Sequence, residues 1–148
     1  MHPIAMADIY HDLPIRAPVA DVFDAISQPA GFDAWWTLGA RGESRIGSDY
    51  ALFFGPEYDW RARVTRCVQD REFALEVTQA TDDWLGTTIS FSLEPRAHET
   101  WLRFSHSGWR RVTDHYRVSS YCWAMYLRIL KRYIEFGESV PYERRLDV

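Results

Sequence analysis

The sequence predicts an α+β fold in which about seven antiparallel strands curve around one long C-terminal helix. Three observations carry that prediction. Between Thr37 and Trp109, runs of alternating apolar and polar residues recur at a spacing of about ten residues with short turns between them, the pattern of an antiparallel meander. From Thr113 onward neither Pro nor Gly occurs until Gly137, and apolar residues recur at helical spacing. The apolar sector of that helix spans roughly 180°, whereas a helix leaning on one neighbour shows a stripe only a little over 100° wide. Such a helix has to be embraced.

Taken in order, Ile9, His11, Leu13 and Ile15 alternate with Tyr10, Asp12, Pro14 and Arg16, which marks a half-buried first strand over 8–16. Pro14 places that strand at an edge or a bulge. Two short helices follow. Pro18 stands at the expected first helical position, with Val19, Val22, Phe23 and Ile26 on one face and Pro29 as the stop. In AGFDAWW, Phe32 shares a face with Trp35 and Trp36.

The strands DYALFF, DWRARVTRCV, EFALEVTQ, GTTISFSLEP and TWLRFSHSGW come next. Alternation aims Tyr50, Leu52 and Phe54, then Trp60, Ala62 and Val64, inward. It does the same for Phe73, Leu75 and Val77, for Ile89, Phe91 and Leu93, and for Leu102, Phe104 and His106. Arg66 shares the phase of Ala62 and Val64, so it points inward unless a bulge at Thr65–Cys67 or a strand end turns it to water. On the long helix, Trp123, Leu127, Leu130 and Ile134 form one apolar stripe. Cys122, Ile129, Tyr133 and Phe136 form a second, with Ser119 and Tyr126 between them. Arg117, Arg128, Lys131, Arg132 and Glu135 lie opposite, toward water.

The 148 residues are expected to form a single domain with its core over 8–142. No apolar run is long enough to span a membrane, and the N-terminal residues lack the pattern of a secretory signal, so a cytoplasmic location is the default. Cys67 and Cys122 make no disulfide framework. Residues 1–99 carry 8 basic against 16 acidic side chains and residues 100–148 carry 9 against 5. The basic helical residues lie opposite the apolar stripe, so no nucleic-acid partner is expected.

This order of strand, two short helices, strands and long helix resembles the helix-grip fold of the SRPBCC superfamily, which includes START and birch-pollen-allergen-type domains. The segments look most like the branch named after the C-terminal domain of the heat-shock-protein-90 ATPase activator. The stretches that carry the likeness are IYHDLPIRAPVADVFDAISQPAGFDAWW, TTISFSLEP with TWLRFSHSGW, and WAMYLRILKRYIEFGESVPY, from Ile9 to Tyr142. The resemblance implies a curved sheet wrapped around the helix with an apolar cavity between them. Members bind lipids, hormones or polyketides, and a minority are cyclases or hydrolases. The activators carry a further N-terminal domain for which this chain has no room, so a chaperone role is not carried over. Cys122 stands where relatives often have Gly, which narrows the space beside the helix.

The residues themselves show few catalytic signatures. Ser105–Trp109 lacks the glycines of a nucleophile elbow, and Gly39–Gly47 matches neither a dinucleotide fingerprint nor a P-loop and reads as a turn. Asp82 and Asp83 read as solvated loop carboxylates. His2, His11, His98, His106 and His115 lack the spacing of a metal site, and no cofactor is expected. His11, His106 and His115 fall on inward faces; the sharper possibility is that two of them converge in the cavity.

The expected ligand-binding set is His11, Trp36, Tyr50, Phe54, Trp60, Arg66, Phe91, His106, Ser119, Trp123 and Tyr126, with no catalytic or metal residue assigned. The leading expectation is non-enzymatic binding of a small apolar or amphipathic molecule by a monomer or homodimer. The alternatives are a cyclase- or hydrolase-like enzyme in the same cavity, and an interaction module using Phe53, Tyr58, Trp84 and Trp101 on the outer surface.

Overall fold

The computed structural model describes residues 6–148. The chain runs β1 (Ala7–Ile15), α1 (Val19–Ser27), α2 (Pro29–Trp35), β2 (Gly39–Arg41), β3 (Asp49–Phe53), β4 (Asp59–Val68), β5 (Glu72–Gln79), β6 (Thr88–Arg96), β7 (Glu99–Trp109) and α3 (Asp114–Phe136). A short 3₁₀ helix, Tyr142–Asp147, closes it. All seven strands form one sheet in the order β1-β7-β6-β5-β4-β3-β2, and every adjacent pair is antiparallel. The expected fold is therefore present. The seventh strand is β2, cut from the glycine-rich stretch that reads as a turn in the sequence.

The sheet's inner face is apolar because the strands alternate. Tyr50, Leu52, Ala62, Val64, Phe73, Leu75, Val77, Ile89, Phe91, Leu93, Leu102, Phe104 and His106 are all buried. Three register shifts interrupt the ladder, one of them between Arg61 and Ala62 on β4, and the other two redirect side chains. Between β4 and β5, Val64 pairs with Leu75 but Arg66 with Ala74, so Thr65 is the extra residue. The phase flips there: Arg66 points to water and bonds Glu72, while Cys67 turns inward with its thiol on the carbonyl of Ser44. At the β1–β7 pairing the register slips between Ala7 and Ile9. Gly108, at φ 88°, makes that turn and donates its N–H to the Asp8 carboxylate. The slip brings Trp109 inside, 1% exposed, although alternation from His106 would leave it outside.

The helix α3 begins where Thr113 accepts the N–H of Tyr116, and it ends at Gly137, which adopts φ 65°. Trp123, Leu127, Ile129 and Leu130 are buried on it, each contributing roughly 1.5–3 kcal/mol by leaving water. Two details differ from the helical-wheel expectation. Phe136 is 65% exposed under the Arg132 guanidinium, because the sheet ends before the helix does. Lys131 does not simply face water: it reaches the Pro14 carbonyl and Glu135, and Glu135 accepts the N–H of Arg16. Tyr116 bonds the Asp8 carbonyl and His11 bonds the Ser120 carbonyl. Together these contacts lay α3 along the edge of β1.

The helices α1 and α2 plug the open end of the sheet. Pro18 caps α1 rather than starting it. Gly31 sits against α1 so closely that an added Cβ would lie 2.6 Å from the Asp24 carbonyl oxygen. Phe32, Trp35 and Trp36 project into the centre and stack toward Trp123, with 5.0 Å between the Trp36 and Trp123 rings. Trp35 donates its indole N–H to the Ala25 carbonyl.

Candidate functional site

The space between sheet and helix is filled with aromatic rings at its centre and stands open at one end. There the N-terminal half of α3 lies opposite the turn joining β3 to β4 and the loop joining β5 to β6. His115, Val118, Ser119, Cys122, Trp123 and Tyr126 line the opening from the helix side, at the three- and four-residue steps of a single helical face. Eleven residues at 1.5 Å each make this a trench roughly 16 Å long. Phe54, Tyr58 and Trp60 form the facing wall, Trp84 the floor, and Tyr142 of the 3₁₀ helix one end. The cavity measures about 250 Å³.

The walls are fixed by hydrogen bonds. Trp84 is buried and donates its indole N–H to Ser119 at 3.3 Å. Its ring packs 4.6 Å from that of Trp60. Tyr142 donates its hydroxyl to the Phe54 carbonyl. Beneath it Arg145, only 5% exposed, bonds the carbonyls of Val140, Thr37 and Asp33 and underlies the Tyr142 ring. The Tyr126 hydroxyl makes no hydrogen bond to any described residue, and burial pushes its pKa up to about 12. Burial likewise raises the Cys122 thiol. At the other end, His115 stacks over Trp84 and places Nδ1 3.6 Å from an Asp83 oxygen, which also accepts the Thr113 hydroxyl at 2.8 Å.

Behind Trp84 and Trp123 lies His106, fully buried. The Trp123 indole can only donate, so His106 Nδ1 accepts at 3.0 Å. The proton is then on Nε2, which donates to the Thr87 hydroxyl at 2.7 Å, and Thr87 in turn donates to the Trp84 carbonyl. The ring is neutral with both nitrogens satisfied, and burial lowers its pKa to about 3.

Of the residues expected from sequence, Phe54, Trp60, Ser119, Trp123 and Tyr126 come together in this trench. Trp36, Tyr50 and Phe91 are packed core, and the Tyr50 hydroxyl is committed to the Ser27 carbonyl. Arg66 is on the outer face for the reason given above. His106 is in the core and His11 lines a different groove, so the two histidines do not converge. Trp84 is not an exposed contact residue but the trench floor; Phe53 and Trp101 are half-buried and only Tyr58 of that set is largely open. Sequence reasoning passed over Tyr142 and Val118 and placed Tyr58 and Trp84 on the outer surface, while His115 does lie on the inward face expected for it. The groove that holds His11, about 570 Å³, runs between β1 and α3 with Asp12, Arg128 and Lys131 around it. Its charged rim, with Tyr121 and His11 the only aromatic rings among the described residues that line it, makes it the weaker candidate. His2 lies outside the described residues. Among the described residues no three His, Cys, Asp or Glu side chains are grouped as a metal site requires.

A curved antiparallel sheet gripping a C-terminal helix, with an aromatic cavity at one end, defines a helix-grip protein. The comparisons agree. Residues 16–135 match the family model described as activator of Hsp90 ATPase homolog 1-like protein, and the chain belongs to that family. The solution structure of the Aha1 dimer from Colwellia psychrerythraea is 29% identical. The alignment covers 90% of this chain and all of that one, with a TM-score of 0.82. The fold is shared by MLL2253 from Mesorhizobium loti (15% identity, 89% and 99% coverage, TM-score 0.79). It is shared also by CalU16 from Micromonospora echinospora (20% identity, 89% and 78% coverage, TM-score 0.72). No curated protein sequence matches the chain. No helix among the described residues is long and apolar enough to cross a membrane.

Proposed function

We propose that this protein binds a small, flat, apolar or amphipathic molecule in the trench along α3. The observation that carries this reading is the cavity of about 250 Å³ walled by Phe54, Trp60, Trp84, Trp123 and Tyr126 with few polar groups among them. Its volume lies below the roughly 300–1,000 Å³ of sites for drug-sized ligands, which favours a compact ring system over a long acyl chain.

Thermal denaturation with a panel of aromatic compounds and fatty acids tests the proposal. A ligand at 100 times its dissociation constant stabilises by about 2.7 kcal/mol, a shift of a few degrees or more for a domain of this size. Bicyclic aromatics are expected to raise the midpoint and long fatty acids are not. Trp60→Ala, on the half-buried wall, should abolish the effect without unfolding the protein. No shift with any compound would refute the reading.

A further inference from the structure

The trench has one polar end, His115 in the first turn of α3, and behind it stands Asp83 of the β5–β6 loop, which lines a neighbouring pocket with Arg110 and Arg111. His115 is clamped: its ring stacks on Trp84 with 6.1 Å between centroids and meets Trp109 edge-on at 5.9 Å. Asp83 faces that ring with a carboxylate oxygen 3.6 Å from Nδ1, an electrostatic contact rather than a hydrogen bond. Asp83 is itself held, because the Thr113 hydroxyl that donates to it at 2.8 Å is also the helix cap, accepting the Tyr116 N–H at 3.1 Å. Loop and helix start are thus joined through one hydroxyl, and the imidazole is presented to the trench by a fixed frame.

The chemistry of that arrangement is directional. A carboxylate facing Nδ1 favours a proton on that nitrogen and leaves Nε2 to act as the acceptor. No described residue bonds Nε2, and His115 lines the trench. We infer that the Asp83–His115 pair receives a hydrogen-bond donor from the ligand, and that the ligand class is a small aromatic carrying a phenolic hydroxyl. A carboxylate at the same place has no hydrogen to donate to Nε2 and is disfavoured. Asp83 acts here as a positioning residue and His115 as the contact. The inference rests on the trench being a ligand site, as proposed above.

Three probes of equal ring size separate the possibilities by isothermal titration calorimetry: 2-naphthol, which donates; 2-methoxynaphthalene, which cannot; and 2-naphthoate, which is anionic. The protein should bind 2-naphthol about tenfold more tightly than 2-methoxynaphthalene, the effect of one satisfied hydrogen bond. It should bind 2-naphthoate most weakly. His115→Phe keeps a flat ring on Trp84 and removes the acceptor, so the two neutral probes should become equal. Asp83→Asn should reduce the preference for 2-naphthol while leaving 2-methoxynaphthalene affinity unchanged, which a merely structural loss would not do. Equal affinity of the neutral probes for the unaltered protein, or a preference that survives His115→Phe, overturns the inference and leaves the cavity reading standing. Absence of binding by all three overturns both.

Discussion

Acidification should weaken this protein through His106, and the size of the effect follows from its surroundings. In the unfolded chain a histidine titrates near 6.5, and in the fold His106 is lowered to about 3 by burial, with His115 adding a smaller repulsion. Between those values the unfolded state binds a proton that the native state refuses. Stability is therefore fully present above about pH 6.5 and falls as pH drops, by about 1.4 kcal/mol per unit, levelling off near pH 3. At pH 5 the loss is about 2 kcal/mol, a large share of a total that is typically 5–15 kcal/mol. The structural reason is specific: a second proton on the ring would set an N–H at Nδ1 against the Trp123 N–H. Urea unfolding at several pH values between 7.5 and 4.5 measures the slope. His106→Gln, whose amide offers both an acceptor and a donor but does not titrate, should be less steep by about 1.4 kcal/mol per unit below about pH 6.5 and no different above it. Parallel pH dependences for the two proteins would refute the assignment of a neutral, locked His106.

Other outcomes follow from features of the same fold. Gly31→Ala forces a Cβ to within 2.6 Å of the Asp24 carbonyl and should cost about 1–3 kcal/mol, read as a lowered thermal midpoint. Arg145→Ala removes the donors to the Val140, Thr37 and Asp33 carbonyls, which should cost about 2 kcal/mol and strip hydrogen-exchange protection from residues 142–147. Arg66→Ala should change stability by less than about 1 kcal/mol and leave ligand affinity untouched, because its ion pair with Glu72 is exposed on the outer face.

Most of the fold was legible because two periodicities carry it. The period of two in the strands picked out their buried residues, and the width of the apolar sector on α3 announced an embraced helix. What escaped lay where a period breaks. The odd phase of Arg66 already pointed to a bulge at Thr65–Cys67, and the extra residue is Thr65; nothing in the pattern marks the turn at Gly108 that brings in Trp109. Trp84 resides in a loop, where no period tells inside from outside. The site was legible in part for a related reason. Trp60, Ser119, Trp123 and Tyr126 lie on regular elements whose faces can be read, whereas Tyr58, Trp84 and Tyr142 reach the trench from irregular segments. Trp36, Tyr50 and Phe91 also face inward, and only packing separates a filled interior from a wall.

The contacts that lay α3 along β1 have a consequence for how anything enters. Tyr116 and Lys131 occupy the Asp8 and Pro14 carbonyls of the first strand, Glu135 holds the Arg16 N–H just past its end, and at the far side β2 is only three residues long. Both rims are poorer templates for a visiting strand on that account. Lifting α3 would bare the β1 edge along with the core, so the helix is the wrong door. The trench already stands open beside Tyr58 and Tyr142, so a ligand can enter there while Trp84 and the 3₁₀ helix stay where their hydrogen bonds hold them.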